Sequence, residues 1–267
     1  MPTRVLSLRA CRSGALLPGF DDPLSWLVAG ASFIEITSPL YTDNLMAFFA
    51  GDPEVVEWLR ERWLKDEMRH GELLRAYVRK VWPRFDWDAS YRSFLDDYGA
   101  LCTVENLAPS RALEMVARCV IETGTATFYR MLSDAAHDPE LKALAARISA
   151  DEVHHYKHFY RFFRRYRAIE KPGRAAILRM LWDRLRDVRE EDSLCALKAV
   201  HMACGDGARL SDGEYTALAN ALLLAFRRHF PCDMAAKMYL KPLGLPPLLG
   251  RAAAGTVGSA VRLIAAA

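Results

Sequence analysis

Two stretches, Asp66-Glu67-Met68-Arg69-His70 and Asp151-Glu152-Val153-His154-His155, both read Asp-Glu-x-x-His. Helical positions three apart share a face, so Glu67 with His70, and Glu152 with His155, each present a carboxylate and an imidazole together. A lone Glu inside an apolar stretch precedes each motif by about one helical hairpin: Glu35 before the first, Glu122 before the second. Glu35 and Glu67 are 32 positions apart, Glu122 and Glu152 are 30 apart. That common hairpin length puts the four carboxylates at one height. Four helices contributing Glu, Glu-x-x-His, Glu and Glu-x-x-His can build a two-metal site in the core of a four-helix bundle.

The energetic argument is as strong as the spacing. An ionised carboxylate buried without a partner is strongly disfavoured and neutralises instead. Two divalent cations would bring four positive charges to four Glu negatives. One Glu-x-x-His pair means little, since such spacings arise by chance on exposed, salt-bridged helices; two, each led by a core Glu at matched distance, are specific. A mixed oxygen and nitrogen donor set suits iron or manganese better than zinc. The expected cofactor is two iron ions, with manganese as the alternative. Glu35 and His70 are assigned to one metal, Glu122 and His155 to the other, with Glu67 and Glu152 bridging. Metal-bound imidazoles need an acceptor at the other ring nitrogen. Asp66 and Asp151 are the candidates, in a crossed arrangement of Asp151 to His70 and Asp66 to His155; their alternative is as solvated flanking charges. Thr125 lies one turn after Glu122 and should reach the same cavity, where its hydroxyl has a catalytic role; its alternative is back-bonding to its own helix. His154 and His158 fall off the ligand line.

The fold class that follows is all-α. Residues 1–20 form an arm, and 21–170 the bundle. The first helix starts near Asp22 and carries Leu24, Val28, Ala31, Glu35, Thr42, Leu45 and Phe49 on one line, kinked at Pro39. The second, from Pro53 to Val81, carries Val56, Leu59, Trp63, Glu67, His70, Leu74, Tyr77 and Val81. A connection over 82–106 holds a short helix near Ser90–Tyr98. The third helix follows Ser110 to about Ala136, and the fourth spans Pro139 to about Ile169. Residues 171–267 add a C-terminal helical block on the bundle, with helices over Arg174–Val188, Asp192–Met202 and Asp212–Phe230. The tail, Leu243 to Ala267, is read as a short docking helix, with a partner surface or a membrane-surface contact as the alternatives.

Composition sets limits on partners. A formal charge of +3 over 267 residues does not by itself argue for nucleic acid. Six cysteines without a C-x-x-C pair read as reduced thiols, hence a cytoplasmic protein. No apolar run reaches the roughly 20 residues of a membrane span, so no transmembrane segment is expected.

The motif-bearing segments resemble the soluble acyl-carrier-protein desaturases. Residues 66–77, with Trp58 and Trp63 before them, look like the second metal-ligand helix of that family. Glu122-Thr-Gly-Thr125-Ala-Thr-Phe resembles the third, Ile148-Ser-Ala-Asp151-Glu152-Val-His-His155 the fourth, and Phe33-Ile-Glu35 with Pro39 and Tyr41 more loosely the first. The resemblance covers roughly residues 25–170. It implies a ferritin-like fold, bridging roles for the motif Glu residues, and a reaction in which reduced iron activates dioxygen and hydrogen is taken from an unactivated C–H bond. The chain is shorter than a plant-type desaturase, so the substrate does not carry over directly.

The expected activity is an O2-dependent di-iron oxidoreductase, desaturase-like or hydroxylase-like, acting on an acyl or other apolar substrate, either a small molecule or bound to a carrier protein. No flavin or nicotinamide fingerprint is present, so the resemblance implies an external, ferredoxin-type electron donor. A homodimer is compatible with this reading. The hairpin spacing also resembles the di-iron tRNA hydroxylases, and a ferroxidase handling iron without organic substrate is the rival from another class.

Overall fold

The computed structural model describes residues 17–99, 107–187, 192–204, 210–246 and 255. Every regular element among them is helical, so the chain is all-α. The helices are α1 (Pro23–Ile36), α2 (Ser38–Phe48), α3 (Pro53–Trp58), α4 (Leu64–Val81), α5 (Trp87–Tyr98), α6 (Arg111–Ala135), α7 (Pro139–Glu170), α8 (Arg174–Asp187), α9 (Asp192–Cys204), α10 (Asp212–Phe226) and α11 (Cys232–Leu240). No helix among the described residues is long and apolar enough to cross a membrane. Cys119, Cys204 and Cys232 form no disulfide. Most of the expected N-terminal arm, Val188 and most of the tail after Leu243 lie outside the described residues.

The helix starts follow local chemistry. Asp22, Asp52 and Asp138 cap α1, α3 and α7, each with Pro at the first turn, and Ser110 caps α6. A side-chain oxygen takes up an orphan backbone N–H there, and proline has no N–H to lose. α7 ends at Lys171, which adopts the left-handed conformation (φ 50°) just before Pro172-Gly173. Two features depart from the sequence expectation. The first helix is broken at Thr37, two residues after Glu35, rather than merely kinked at Pro39; the Thr37 and Ser38 hydroxyls bond back to the Phe33 and Glu35 carbonyls, and Pro39 falls in the first turn of α2. The second helix is interrupted by a π-helical turn over Leu59–Trp63. α11 is a helix the sequence reading did not resolve.

The described chain clusters into two compact units. One holds residues 17–41, 67–99, 192–204 and 210–225. Here α1 packs on α9 and α5, and α5 on α9. Its core is aromatic: Phe33 lies within 5.4–6.4 Å, ring to ring, of Trp87, Phe94, Tyr91 and Phe85. Phe20, at the end of the expected arm, is buried and stacks on Phe85 at 4.9 Å. Each such ring contributes about 1.5–3 kcal/mol through burial. The buried indole N–H groups find acceptors, Trp87 on Ser32 Oγ and Trp26 on the Phe20 carbonyl, both at 2.8 Å.

The other unit holds residues 42–66, 107–187 and 226–246. Its spine is the α6–α7 hairpin, with α8 and α11 laid on α6. Two bonds set the hairpin register. Ser149 Oγ donates to the Ala126 carbonyl at 2.8 Å, and Ser133 Oγ to the Lys142 carbonyl at 3.0 Å. Each step forward on α6 is therefore one step back on α7, which sets Glu122 level with Val153, between Glu152 and His155.

The start of α3 is tied to α7 by a polar knot. Asp52 accepts from the Tyr166 hydroxyl at 2.5 Å and from Arg165; Arg165 also bonds Glu54, which accepts from Arg161 at 2.9 Å. Burial alone would raise the Asp52 carboxyl, but the bonds from Tyr166, the Val55 N–H and Arg165 outweigh it and hold it below its ordinary value. A carboxylate depressed in the folded state stabilises above its unfolded pKa, and that stability is lost as pH falls through the folded one. Asp52→Asn keeps an oxygen for the cap and removes the charge. Its melting temperature is expected below wild type at neutral pH, with the gap closing below about pH 4; thermal unfolding across that range checks it.

Candidate metal centre

The six expected ligands are all buried, none more than 5 % exposed. In the first unit, Glu35 on α1 and Glu67 and His70 on α4 offer one donor atom each, all within 4.8 Å of one another. His70 Nδ1 lies 3.8 Å from Glu35 Oε2. In the second unit, Glu122 on α6 and Glu152 and His155 on α7 do the same within 4.8 Å. His155 Nδ1 lies 3.5 Å from both Glu122 Oε2 and Glu152 Oε2. The sequence repeat therefore appears as two clusters of identical composition.

These separations decide what the clusters suit. Nitrogen–oxygen hydrogen bonds run at about 2.7–3.2 Å. Donor atoms bound at about 2.0–2.2 Å to one ion stand roughly 3–4.4 Å apart. At 3.5–3.8 Å the imidazole and carboxylate atoms are too far apart for good hydrogen bonds and suitably placed to share a cation. Glu122 Oε2 makes no hydrogen bond among the described residues. Buried Glu and His groups that fit a metal ion are thus present in both units.

α1 and α4 meet closely beside the first cluster. A Cβ on Gly71 would lie 2.6 Å from the backbone nitrogen of Ile36 and would also clash with the Ile36 side chain. Glycine at this point lets Glu35 and His70, each a neighbour in sequence of one of these residues, come together.

The second cluster is held by donors around it. Trp63 Nε1 donates to Glu122 Oε1 at 3.1 Å, leaving Oε2 turned to His155. Thr125 Oγ1 is 2.9 Å from Glu152 Oε2 and 3.3 Å from the Ile121 and Glu122 carbonyls. Its hydroxyl has one proton, and the shortest and most charged acceptor is the Glu152 carboxylate. His155 Nε2 faces Asp66 Oδ2 at 3.4 Å, the side of the crossed arrangement that falls within this unit. Asp151 is half-buried beside Glu152. Trp58 stands edge-on to His155 and Phe159 and stacks on His158, while Trp63 meets Phe159 edge-on. His154 is exposed, off the ligand line.

Burial pushes the Glu122 carboxyl up to about 8; the nearby His155 imidazole opposes this and the Glu152 charge adds to it. Without a cation, the group holds a proton in preference to a charge. Burial likewise raises the Cys119 thiol, one turn before Glu122, well above its ordinary range, which keeps it a neutral core side chain rather than a thiolate ligand.

The Trp63 donor is the contact that spacing alone misses. In the sequence Trp63 is simply one of the residues on the line of the second helix. The π turn ending at this residue re-aims it, and π turns interrupt helices mostly at functional positions. The available signal was a tryptophan one turn before a ligand Glu, whose N–H needs a partner once buried.

Compared with known proteins, the chain matches no family model and no curated protein sequence.

Two predictions come from this geometry. Gly71→Ala gains up to about 1 kcal/mol of helix propensity, but a backbone clash costs more, about 1–3 kcal/mol. The variant is expected to lower the urea midpoint and the amount of metal bound, as read by denaturation and elemental analysis. Trp63→Phe keeps an aromatic ring, though a smaller one, and Thr125→Val keeps the size of the side chain; each removes one donor. Both are expected to weaken metal binding about 10–100-fold while leaving helix content unchanged, as read by metal titration and circular dichroism.

Proposed function

We propose that the two clusters hold two iron ions within a ferritin-like four-helix arrangement, and that the protein is an O2-dependent di-iron oxidoreductase, desaturase-like or hydroxylase-like, acting on an acyl or other apolar substrate. The observation that carries this is the pair of matched Glu, Glu, His clusters, each with its imidazole 3.5–3.8 Å from a carboxylate. Bound iron, reduced by an external ferredoxin-type donor, supplies the dioxygen chemistry that removes hydrogen from an unactivated C–H bond.

The protein's own part is binding, orientation and dryness. Glu35 and Glu67 would supply the carboxylate ligands and His70 the nitrogen ligand in one unit, and Glu122, Glu152 and His155 would do the same in the other. The four carboxylates balance two divalent charges, which makes their burial tolerable. Trp63 orients Glu122 and Thr125 orients Glu152, so each carboxylate presents one fixed oxygen. Thr125 acts here as a positioning residue. Asp66 holds the His155 ring. Trp58, Trp63, Phe159 and Phe162 surround the second cluster with aromatic surface, Trp58 lying 5.6 Å from Phe162. That lining excludes water and supports an apolar substrate.

The test is iron stoichiometry. Anaerobic loading is expected to saturate at about two ions per chain, and both Glu152→Ala and His70→Ala to bind well below that. Unchanged iron in both variants sinks the ligand assignment. Continued uptake of iron past saturation, in the presence of oxygen, would instead mark an iron-storing ferroxidase.

A further inference from the structure

A concavity of about 690 Å3 lies on the face of α7 that carries Lys157, Tyr160, Arg161, Arg164 and Arg165, closed by Lys241 from the short 3-10 turn after α11. Five of its six lining residues are cations, although the whole chain carries a formal charge of only +3. Arg161 and Arg165 are answered by Glu54 and Asp52. Lys157, Arg164 and Lys241 have no carboxylate partner among the described residues. Lys241 is instead held over the ring of Tyr160, with its ammonium 4.7 Å from the ring centre, and 5.8 Å from that of Tyr156. Tyr156 is itself anchored by its hydroxyl on the Met238 carbonyl at 2.7 Å. An aromatic floor fixing one cation, with arginines and a second lysine around it, is preorganised rather than a scatter of mobile surface charges.

We propose that this concavity binds the phosphate or diphosphate group of a small organic molecule. Gathering like charges around one hollow is unfavourable unless an anion fills it. Guanidinium groups match phosphate oxygens in pairs, and lysines add point charge. A group bearing two or more negative charges on neighbouring oxygens answers three unpaired cations better than a single carboxylate does. Four of the cations lie within nine residues of α7 and the fifth, Lys241, faces them from a separate segment, so the charge is confined to one short span, which suits a compact headgroup over a nucleic-acid backbone. Lys157 lies two residues after His155, on a different face of α7, and the site stands independently of the metal reading.

The experiment is calorimetric titration of the full-length protein with inorganic pyrophosphate at fixed ionic strength, with succinate and a short single-stranded RNA as the other arms. Saturable one-to-one binding of pyrophosphate is expected, weakening as salt rises. Lys241→Ala and the double variant Lys157→Ala/Arg164→Ala should each lose roughly tenfold or more in affinity. All three side chains are exposed, so the fold is retained, which circular dichroism verifies. Arg179→Ala, an exposed arginine on α8 outside the concavity, should bind as wild type. No saturable binding, equal affinity for succinate, tighter binding of the RNA, or equal loss in Arg179→Ala would each overturn the proposal. None of these outcomes bears on iron content, so this proposal and the metal assignment fail separately.

Discussion

The dominant constraint on this chain is the cost of keeping four carboxylates and two imidazoles away from water. Glu35, Glu67, Glu122 and Glu152 are nearly inaccessible. Isolated ionised carboxylates are not tolerated in such surroundings; they take up protons or find counter-charge. The raised Glu122 carboxyl is that cost made visible. Much of the surrounding structure acts to hold these groups in place despite it. Indole and hydroxyl donors fix individual oxygens, a glycine lets two helices approach, and paired serine bonds set the register of the longest hairpin.

The two clusters repeat in composition but not in support. The first relies on close backbone approach, with Gly71 against Ile36. The second relies on side-chain donors, with Trp63, Thr125 and Asp66 around Glu122, Glu152 and His155. Clusters of identical composition with different surroundings offer unequal environments.

Much of this was legible from the residues. The three-residue spacing of Glu and His, with the apolar lines around them, placed all six candidate residues on buried faces, and capping residues marked the starts of α1, α3, α6 and α7. What escaped were features governed by contacts distant in sequence. The break at Thr37 arises from hydroxyls bonding back into the preceding turn, which proline statistics alone locate two residues too late. The aromatic core built by Phe20, Phe33, Phe85 and Phe94 joins segments whose pairing no local pattern specifies. α11 is short and bounded by prolines, so periodicity had little to act on.

The π turn at Leu59–Trp63 has an implication for how this part of the chain can vary. A π turn amounts to one extra residue accommodated in an otherwise α-helical rod, and each residue turns an α-helix by about 100°. The stretches before and after it therefore keep separate phase. Val56, on a single uninterrupted line with Glu67, ends up only half-buried. Losing one residue here would leave the motif downstream intact while swinging everything upstream, tryptophans included, around the axis. Length in this five-residue span thus sets the phase of the residues that precede it.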